Sequence, residues 1–474
     1  MHVAIATYHQ RIDTIINRFF TAAGRAKGMA CFLLCCVLLI PACQAPQPSD
    51  TKLLQDPEVV HASVKRLTDI IVYDIFSPPV ASRIYAYTSL AMYETMRYQE
   101  PQYPSLTDQM RGFPPMPKPE PGKVYNYLLA GARAFQVVAQ KVTFSTDSLK
   151  LFEQQLYGRF RKAGVNETTF ANSMAFGEAV AAKVLERAAK DNYRESRGFP
   201  RYTVTREKGV WQPTPPDYMD AVEPYWSSIK PLMLDTCNQF QPPPALQFDL
   251  DTTSSFYKEV KEVYNARINL SQEQKAIASF WDCNPYVMHH TGHAMFATKK
   301  ITPGGHWMGI AAIASRKAKA GYVQSGQAYA LTAATLLDAF ISCWDEKFRS
   351  RVIRPQTVIN QTFDEGWEPL LQTPPFPEYT SGHSVVSGAA AVTLTRLYGD
   401  NVAFMDTTEV EYGAGQRYFN SFTHAAQEAG ISRLYGGIHY RSSIENGLEQ
   451  GRRIGAFIIQ KIKVDTVIPN KPKA

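Results

Sequence analysis

The chain is predicted to be all-α, one compact body built from helical bundles. Three observations point there. Apolar residues recur at helical spacing nearly everywhere, strict apolar–polar alternation is almost absent, and 45% of the 474 residues are hydrophobic against 20% charged. The balance of 50 Lys+Arg against 43 Asp+Glu is mild, with no basic block and no zinc-finger spacing, so nucleic acid is not an expected partner. No repeat period shows, and 31 scattered prolines imply many structured turns.

Taken in order, the first element is a leader. Arg11, Arg18, Arg25 and Lys27 precede an apolar run from Met29 to Ile40, then Pro41, Ala42 and Cys43. Twelve apolar residues are too few to span a bilayer, which takes about 20. Positive charge before a short apolar core reads as a signal peptide over 1–42. Ala42 before Cys43, followed by a polar, Pro-rich stretch, resembles a bacterial lipobox and its tether. That resemblance implies lipidation at Cys43 and an exported, membrane-anchored lipoprotein, at the periplasmic or outer membrane or the cell surface, touching the membrane only through its lipid. A plain secretory signal cleaved nearby is the alternative. Removing 1–42 takes away four basic residues and Asp13, leaving a net charge of +4. It leaves Cys43, Cys237, Cys283 and Cys343, too few for a disulfide scaffold, so the fold must rest on a packed core.

The mature chain is expected as a tether over 43–60, an N-terminal helical region over 61–245 and a C-terminal helical bundle over 246–465, without a clean boundary. Helices are predicted over Ser82–Arg97, where Ile84, Tyr87 and Ala91 share a face, and over Lys123–Val142. Two more follow over Ser145–Lys162 and Glu167–Lys190, the last behind the N-cap candidate Asn166. Pro-rich connectors occupy 100–122 and 211–246. The second half continues with helices over Gln272–Phe280, Gln324–Trp344, Ser381–Leu397 and Ser442–Lys461.

Three segments of the second half carry chemistry. Lys347 and Arg354 are seven apart, two helical turns, so both can project from one face before Pro355 ends the stretch. Ser381-Gly382-His383 opens an apolar helix, where free backbone N–H groups and a glycine suit an anion. Arg433 and His439 precede a helix with Gly447, Gly451 and Gly455 at four-residue spacing, a small face for tight packing. The set offers three fixed cations, a hydroxyl, backbone donors and two imidazoles, a pocket for a multiply charged tetrahedral oxyanion.

Lys-x6-Arg-Pro, then Ser-Gly-His, then Ser432-Arg433-x5-His439 resembles the three-part signature of the type 2 phosphatidic-acid phosphatase and vanadium haloperoxidase superfamily. The blocks occur in order over 344–447. The resemblance implies a vanadium chloroperoxidase-like fold and a vanadate cofactor, with phosphate able to take the same place. It assigns Lys347, Arg354, Arg433, Ser381 and the Gly382 N–H to the oxyanion's oxygens. His439 would bond to vanadium, or attack phosphorus in a phosphatase, and His383 would be the general acid/base. Thr380 replaces the family's Pro before Ser-Gly-His. Ser443 stands where the family has an Asp that steadies the histidine, with Glu445 or Asn446 as possible substitutes.

Trp344 and Phe376 resemble the aromatic pair near the halide position of vanadium chloroperoxidases; bromoperoxidases more often carry His where Phe376 stands. Hydrogen peroxide, halide and a small organic acceptor are the implied partners, with Lys347 polarising a peroxide oxygen. Asp282 is a candidate acidic partner of Arg433. Two alternatives stay open: a phosphomonoesterase working through a phosphohistidine at His439, and a non-catalytic oxyanion-binding lipoprotein. The spanning helices of the membrane phosphatases are not evident. His289, His290, His293 and His306 lack His-Glu-x-x-His spacing and read as pocket-mouth or packing residues rather than zinc ligands. Met288, Met295 and Met308 read as helix core filler. Cys237, Cys283 and Cys343 lack a nucleophile's context, and the acceptor-like triplets at Asn166 and Asn269 read as helix caps.

Overall fold

A computed structural model describes residues 51–465, apart from Tyr286, Gly292 and His293. The expected leader, the expected lipidation position Cys43 and residues 44–50 lie outside the described residues. Residues 51–60, expected within the tether, are folded. Thr51–Gln55 makes a 3-10 turn that buries Leu53, and helix α1 (Glu58–Tyr73) buries Val59 and Val60 in its first turn. No helix among the described residues is long and apolar enough to cross a membrane.

The axis of the first half is α2 (Pro78–Met96), whose residues are all buried. It starts four residues before the predicted Ser82 because Ser77 caps it, its Oγ accepting the Val80 N–H at 3.3 Å, and Pro78 and Pro79 carry helical φ into the first turn. Against it packs α3 (Tyr127–Val142), α4 (Thr146–Lys162) lies on α3 and α1, and α5 (Glu167–Ala188) returns to α2 and α3; Asn166 caps the last, as predicted. A short turn, α6 (Tyr193–Ser196), leads into the Pro-rich connector.

The second half adds α7 (Ser255–Ile268) and α8 (Gln272–Phe280), a hairpin of β1 (Val287–Thr291) and β2 (Ala294–Thr298), then α9 (Pro303–Lys317) and α10 (Tyr322–Ser350). After these come α11 (Pro355–Thr362), α12 (Gly382–Tyr398), a small hairpin of β3 (Phe404–Asp406) and β4 (Arg417–Phe419), α13 (Phe422–Tyr435) and α14 (Arg441–Lys461). Met288 and Met295 therefore stand on strands, paired across the hairpin with Ala297 and His290, and not on a helix; Met308 is buried on α9.

Two devices hold the chain around the site. Asp338, buried on α10, accepts N–H bonds from Leu232, Met233 and Leu234 at 2.8, 2.7 and 2.9 Å, pinning the connector. Burial pushes its carboxyl up to about 6. At the other end α12 and α14 pack backbone to backbone. A Cβ at Gly451 would sit 2.1 Å from the Val385 carbonyl oxygen, and one at Gly388 would sit 2.6 Å from that of Leu448. Only glycines permit that approach, so the start of α12 lies against the start of α14, with the Ser381 N–H donating to the Ser443 carbonyl at 3.2 Å.

Candidate active site

Four segments converge on one pocket: the end of α10, the turn before α12, the end of α13 and the turn before α14. Lys347 lies in the last turn of α10, which Arg351 closes in the left-handed conformation at φ 52°. Arg354 is the N-cap of α11, so the two cations do not share one helix face as the spacing predicted. They meet because the chain turns between them.

Lys347 is fully buried, and its Nζ donates to the carbonyls of Pro377, Glu378 and Thr380 at 3.0, 3.1 and 2.6 Å. Burial pushes the ammonium down to about 8, with the Arg354 charge acting the same way. Arg354 donates from Nε to the Phe376 carbonyl at 2.8 Å and from Nη1 to the Ile438 carbonyl at 2.9 Å. Nη1 also lies 3.2 Å from His439 Nε2, and Nη2 is buried without a partner. Burial brings its pKa down to about 10. Arg433, near the end of α13, donates to Ser432 Oγ at 2.9 Å and to the Trp281 carbonyl at 2.7 Å.

Asp282 lines the pocket and acts on Arg433 through its charge, as expected of an acidic partner: burial lowers the Arg433 pKa and the Asp282 carboxylate opposes that shift, while its direct ion pair is with Lys300.

His439 Nδ1 lies 2.7 Å from Glu378 Oε1, which also accepts the Tyr440 N–H at 3.0 Å. A carboxylate facing Nδ1 fixes the proton there and turns the Nε2 lone pair toward Arg354. This replaces the Asp that Ser443 displaced: Ser443 Oγ is 3.4 Å from Nδ1, but neither Glu445 nor Asn446 reaches it. Glu445 faces Arg441 at 3.8 Å, and Asn446 donates to the Tyr379 hydroxyl. Burial raises Glu378 to about 7 against the pull of Arg354 and Lys347. Burial, then Arg354 and Lys347, holds His439 well below the ordinary imidazole range.

Ser381 caps α12, and its Oγ accepts the Ser384 N–H at 3.4 Å. A Cβ at Gly382 would stand 3.6 Å from the Trp344 ring and 3.9 Å from Lys347 Cε, so the glycine keeps the floor of the pocket open. His383 bonds the Trp281 backbone, while its Nε2 is sealed from solvent and without a partner; burial and Arg433 hold it well below its ordinary pKa. Trp344 and Phe376 both line the pocket, their ring centroids 4.9 Å apart, and the Trp344 indole donates to the Val222 carbonyl of the connector at 3.2 Å.

The donor set fits a tetrahedral oxyanion. Arg354 Nη2 and His383 Nε2 are buried polar atoms with nothing to bond, Arg354 stands at His439 Nε2 while the Lys347 and Arg433 charges also act on that ring, and Gly382 leaves room.

Residues 327–465 match the family model of the VCPO second helical-bundle domain. The crystal structure of a bacterial vanadium-dependent iodoperoxidase is 48% identical, with a TM-score of 0.82 over 88% of this chain and 98% of that one. The chain belongs to the vanadium-dependent haloperoxidase family. Holo and apo crystal structures of a bacterial vanadium-dependent chloroperoxidase share its fold at 18% identity, with TM-scores of 0.62 and 0.61. They cover 88% and 81% of this chain and 96% and 94% of theirs. No curated protein sequence matches it.

Within this haloperoxidase fold, Glu378 is the site residue that the sequence reading missed. Its signal is the absence of an Asp at 443: a buried imidazole needs an acceptor, and the Pro-rich turn before Ser-Gly-His carries a carboxylate at Glu378.

Proposed function

We propose that the protein is a vanadate-dependent haloperoxidase that oxidises halide, iodide foremost, with hydrogen peroxide to hypohalous acid. The observation that carries the reading is His439, its Nδ1 held by Glu378, its Nε2 facing Arg354, and its ring under the charges of the buried Lys347 and Arg433. The 48% identical iodoperoxidase supports iodide as the halide.

His439 Nε2 would hold vanadate, with Lys347, Arg354, Arg433, Ser381 and the Gly382 N–H on its oxygens. The bound oxyanion supplies Lewis acidity without changing oxidation state. The side chains do the rest. Burial keeps His383 neutral at working pH, so its free Nε2 can take a proton from incoming peroxide and return it to the departing oxygen. Lys347, fixed by three carbonyls, presents its charge at one place and polarises the peroxide oxygen that halide attacks. Trp344 and Phe376 wall off water and leave a passage for a small anion. Hypohalous acid then leaves for a small organic acceptor.

The test is triiodide formation from iodide and peroxide by purified protein with added vanadate, beside hydrolysis of p-nitrophenyl phosphate. Vanadate-dependent iodide oxidation is expected. Phosphate-ester turnover without halide oxidation overturns the reading in favour of a phosphohistidine at His439, and tight vanadate binding with neither activity overturns it in favour of an oxyanion carrier. The charged leader, the apolar run and the Ala42-Cys43 pair support export and lipid anchoring. Cys43→Ser is expected to abolish incorporation of labelled fatty acid.

A further inference from the structure

A second cluster of ligating side chains lies behind the pocket, assembled from three distant segments. His306, near the start of α9, is fully buried. Its Nδ1 is 2.9 Å from Glu409 Oε1 and 3.5 Å from Cys283 Sγ, and Cys283 Sγ is 3.5 Å from the same Glu409 oxygen. Its Nε2 is 2.8 Å from Asp406 Oδ2, and the Thr408 N–H steadies that carboxylate through Oδ1 at 2.9 Å. The ring stacks on Trp281, centroids 4.4 Å apart.

We propose that Cys283, His306 and Glu409 form a zinc site, with Asp406 orienting the histidine. Three features carry it. Thiolate, imidazole and carboxylate are the borderline donors that zinc prefers over the oxygen sets of magnesium or calcium. Ligands about 2.0–2.3 Å from a tetrahedral zinc lie roughly 3.3–3.6 Å from one another, and the two sulfur edges of this triangle are 3.5 Å. The shorter Nδ1–Oε1 edge opens slightly when the ion replaces the proton between them. A ligating histidine characteristically donates its other N–H to a carboxylate, the place Asp406 holds.

The exchange balances. With both ring nitrogens facing carboxylates and the thiol protonated, the cluster holds one imidazolium and two carboxylates. Zinc binding forms Zn–S, Zn–N and Zn–O bonds and releases one proton from Nδ1 and one from Sγ. One divalent cation replaces two protons, and the net charge of the buried cluster does not change. Three protein ligands leave one position for water.

Position gives the site its consequence. The Cys283 N–H donates to the Trp281 carbonyl at 2.9 Å, the same carbonyl that receives Arg433 and bonds His383. Anchoring Cys283 holds that acceptor in place for two residues of the oxyanion cage.

Metal content of the purified full-length protein decides it, with zinc alone and Co(II) alone as probes. About one zinc per chain is expected, falling below about a tenth in Cys283→Ser and Glu409→Gln. The Co(II)-loaded protein should show a thiolate-to-cobalt charge-transfer band in the near ultraviolet that Cys283→Ser lacks. Failure to take up zinc at micromolar concentration overturns the proposal. So does equal uptake by Cys283→Ser, which places the metal elsewhere. If that variant does not fold, the wild-type band decides: bound cobalt without it overturns the assignment. Metal content is read without turnover, so it stands or falls apart from the haloperoxidase reading.

Discussion

His439 and His306 are both buried, and each places Nδ1 within 2.9 Å of a glutamate oxygen. They differ at Nε2, where one faces the Arg354 guanidinium and the other the Asp406 carboxylate. Burial alone would keep both neutral. At His439 Arg354 and Lys347 reinforce burial, and the ring stays well below its ordinary range. At His306 Asp406 overrides burial, and the ring is held well above it. One residue type, with the sign of its second neighbour reversed, makes an anion nest in one place and a cation nest in the other.

The largest way to break this contrast is to remove each histidine in turn. His439→Ala is expected to lower vanadate-dependent iodide oxidation by about 10³-fold or more, since it deletes the atom around which the cage is built. Its thermal midpoint should fall less than that of His306→Gln, because it strands one buried carboxylate, Glu378, where the other strands two. His306→Gln is expected to do the reverse: a lower midpoint, since two buried carboxylates lose their partner, and a smaller activity loss. Equal activity losses in the two variants would dissolve the distinction.

Removing a cage cation comes next. Arg433→Ala should weaken activity by roughly 10²-fold. Arg354→Lys should do nearly the same, since a lysine cannot hold the Phe376 and Ile438 carbonyls while also serving the oxyanion. Vanadate titration by calorimetry measures both.

Glu378→Gln sharpens the comparison through pH. Loss of the carboxylate behind a ligating histidine typically lowers affinity 10–100-fold. With its carboxyl raised to about 7, Glu378 is ionised above that value. As pH falls through about 7 it protonates, Nδ1 loses its acceptor and vanadate affinity should drop. Lys347, lowered to about 8, loses its charge as pH rises through that value, which also weakens anion binding. Affinity should therefore peak between about 7 and 8. Glu378→Gln should lack the acidic limb and keep the basic one.

The sequence showed the cage more clearly than its supports. Lys347, Arg354, Ser381, Arg433 and His439 stood in contiguous blocks whose spacing carries the pattern. Helix starts were legible where a cap is spelled out, as at Asn166 and Ser271, and shifted where prolines begin the helix, as at Pro78. Helix α13 was hard to see because half of its buried residues are Ala or Gly, which carry little periodic signal. Glu378 was passed over because its partner is 61 residues away. The His306 cluster joins Cys283, 23 residues before it, to Asp406 and Glu409, 100 or more residues after it, and no local spacing encodes such a meeting.

The glycine contact between α12 and α14 gives a test of intermediate size. Gly451→Ala places a methyl 2.1 Å from the Val385 carbonyl oxygen, too close for side-chain adjustment, so the helices must part. Overpacking of this kind costs about 1–3 kcal/mol, visible as a lower unfolding midpoint. Vanadate affinity should fall with it, because the same contact sets Ser381 against the turn that carries His439.

The smallest effect is expected at the aromatic wall. Phe376 packs on Trp344 and lies about 5.1 Å from both the Lys347 ammonium and the Arg354 guanidinium, so its ring face touches the cage without donating to it. Phe376→His keeps most of the volume and adds a donor. Vanadate affinity should then stay within a few-fold of the original, while the ratio of kcat/KM for iodide to that for bromide moves by roughly tenfold. The direction follows from hydration. Bromide sheds water less readily than iodide, so a wall that can donate a hydrogen bond helps bromide more, and the ratio should fall. An unchanged ratio would mean that halide does not approach along this wall and that the aromatic pair serves packing alone.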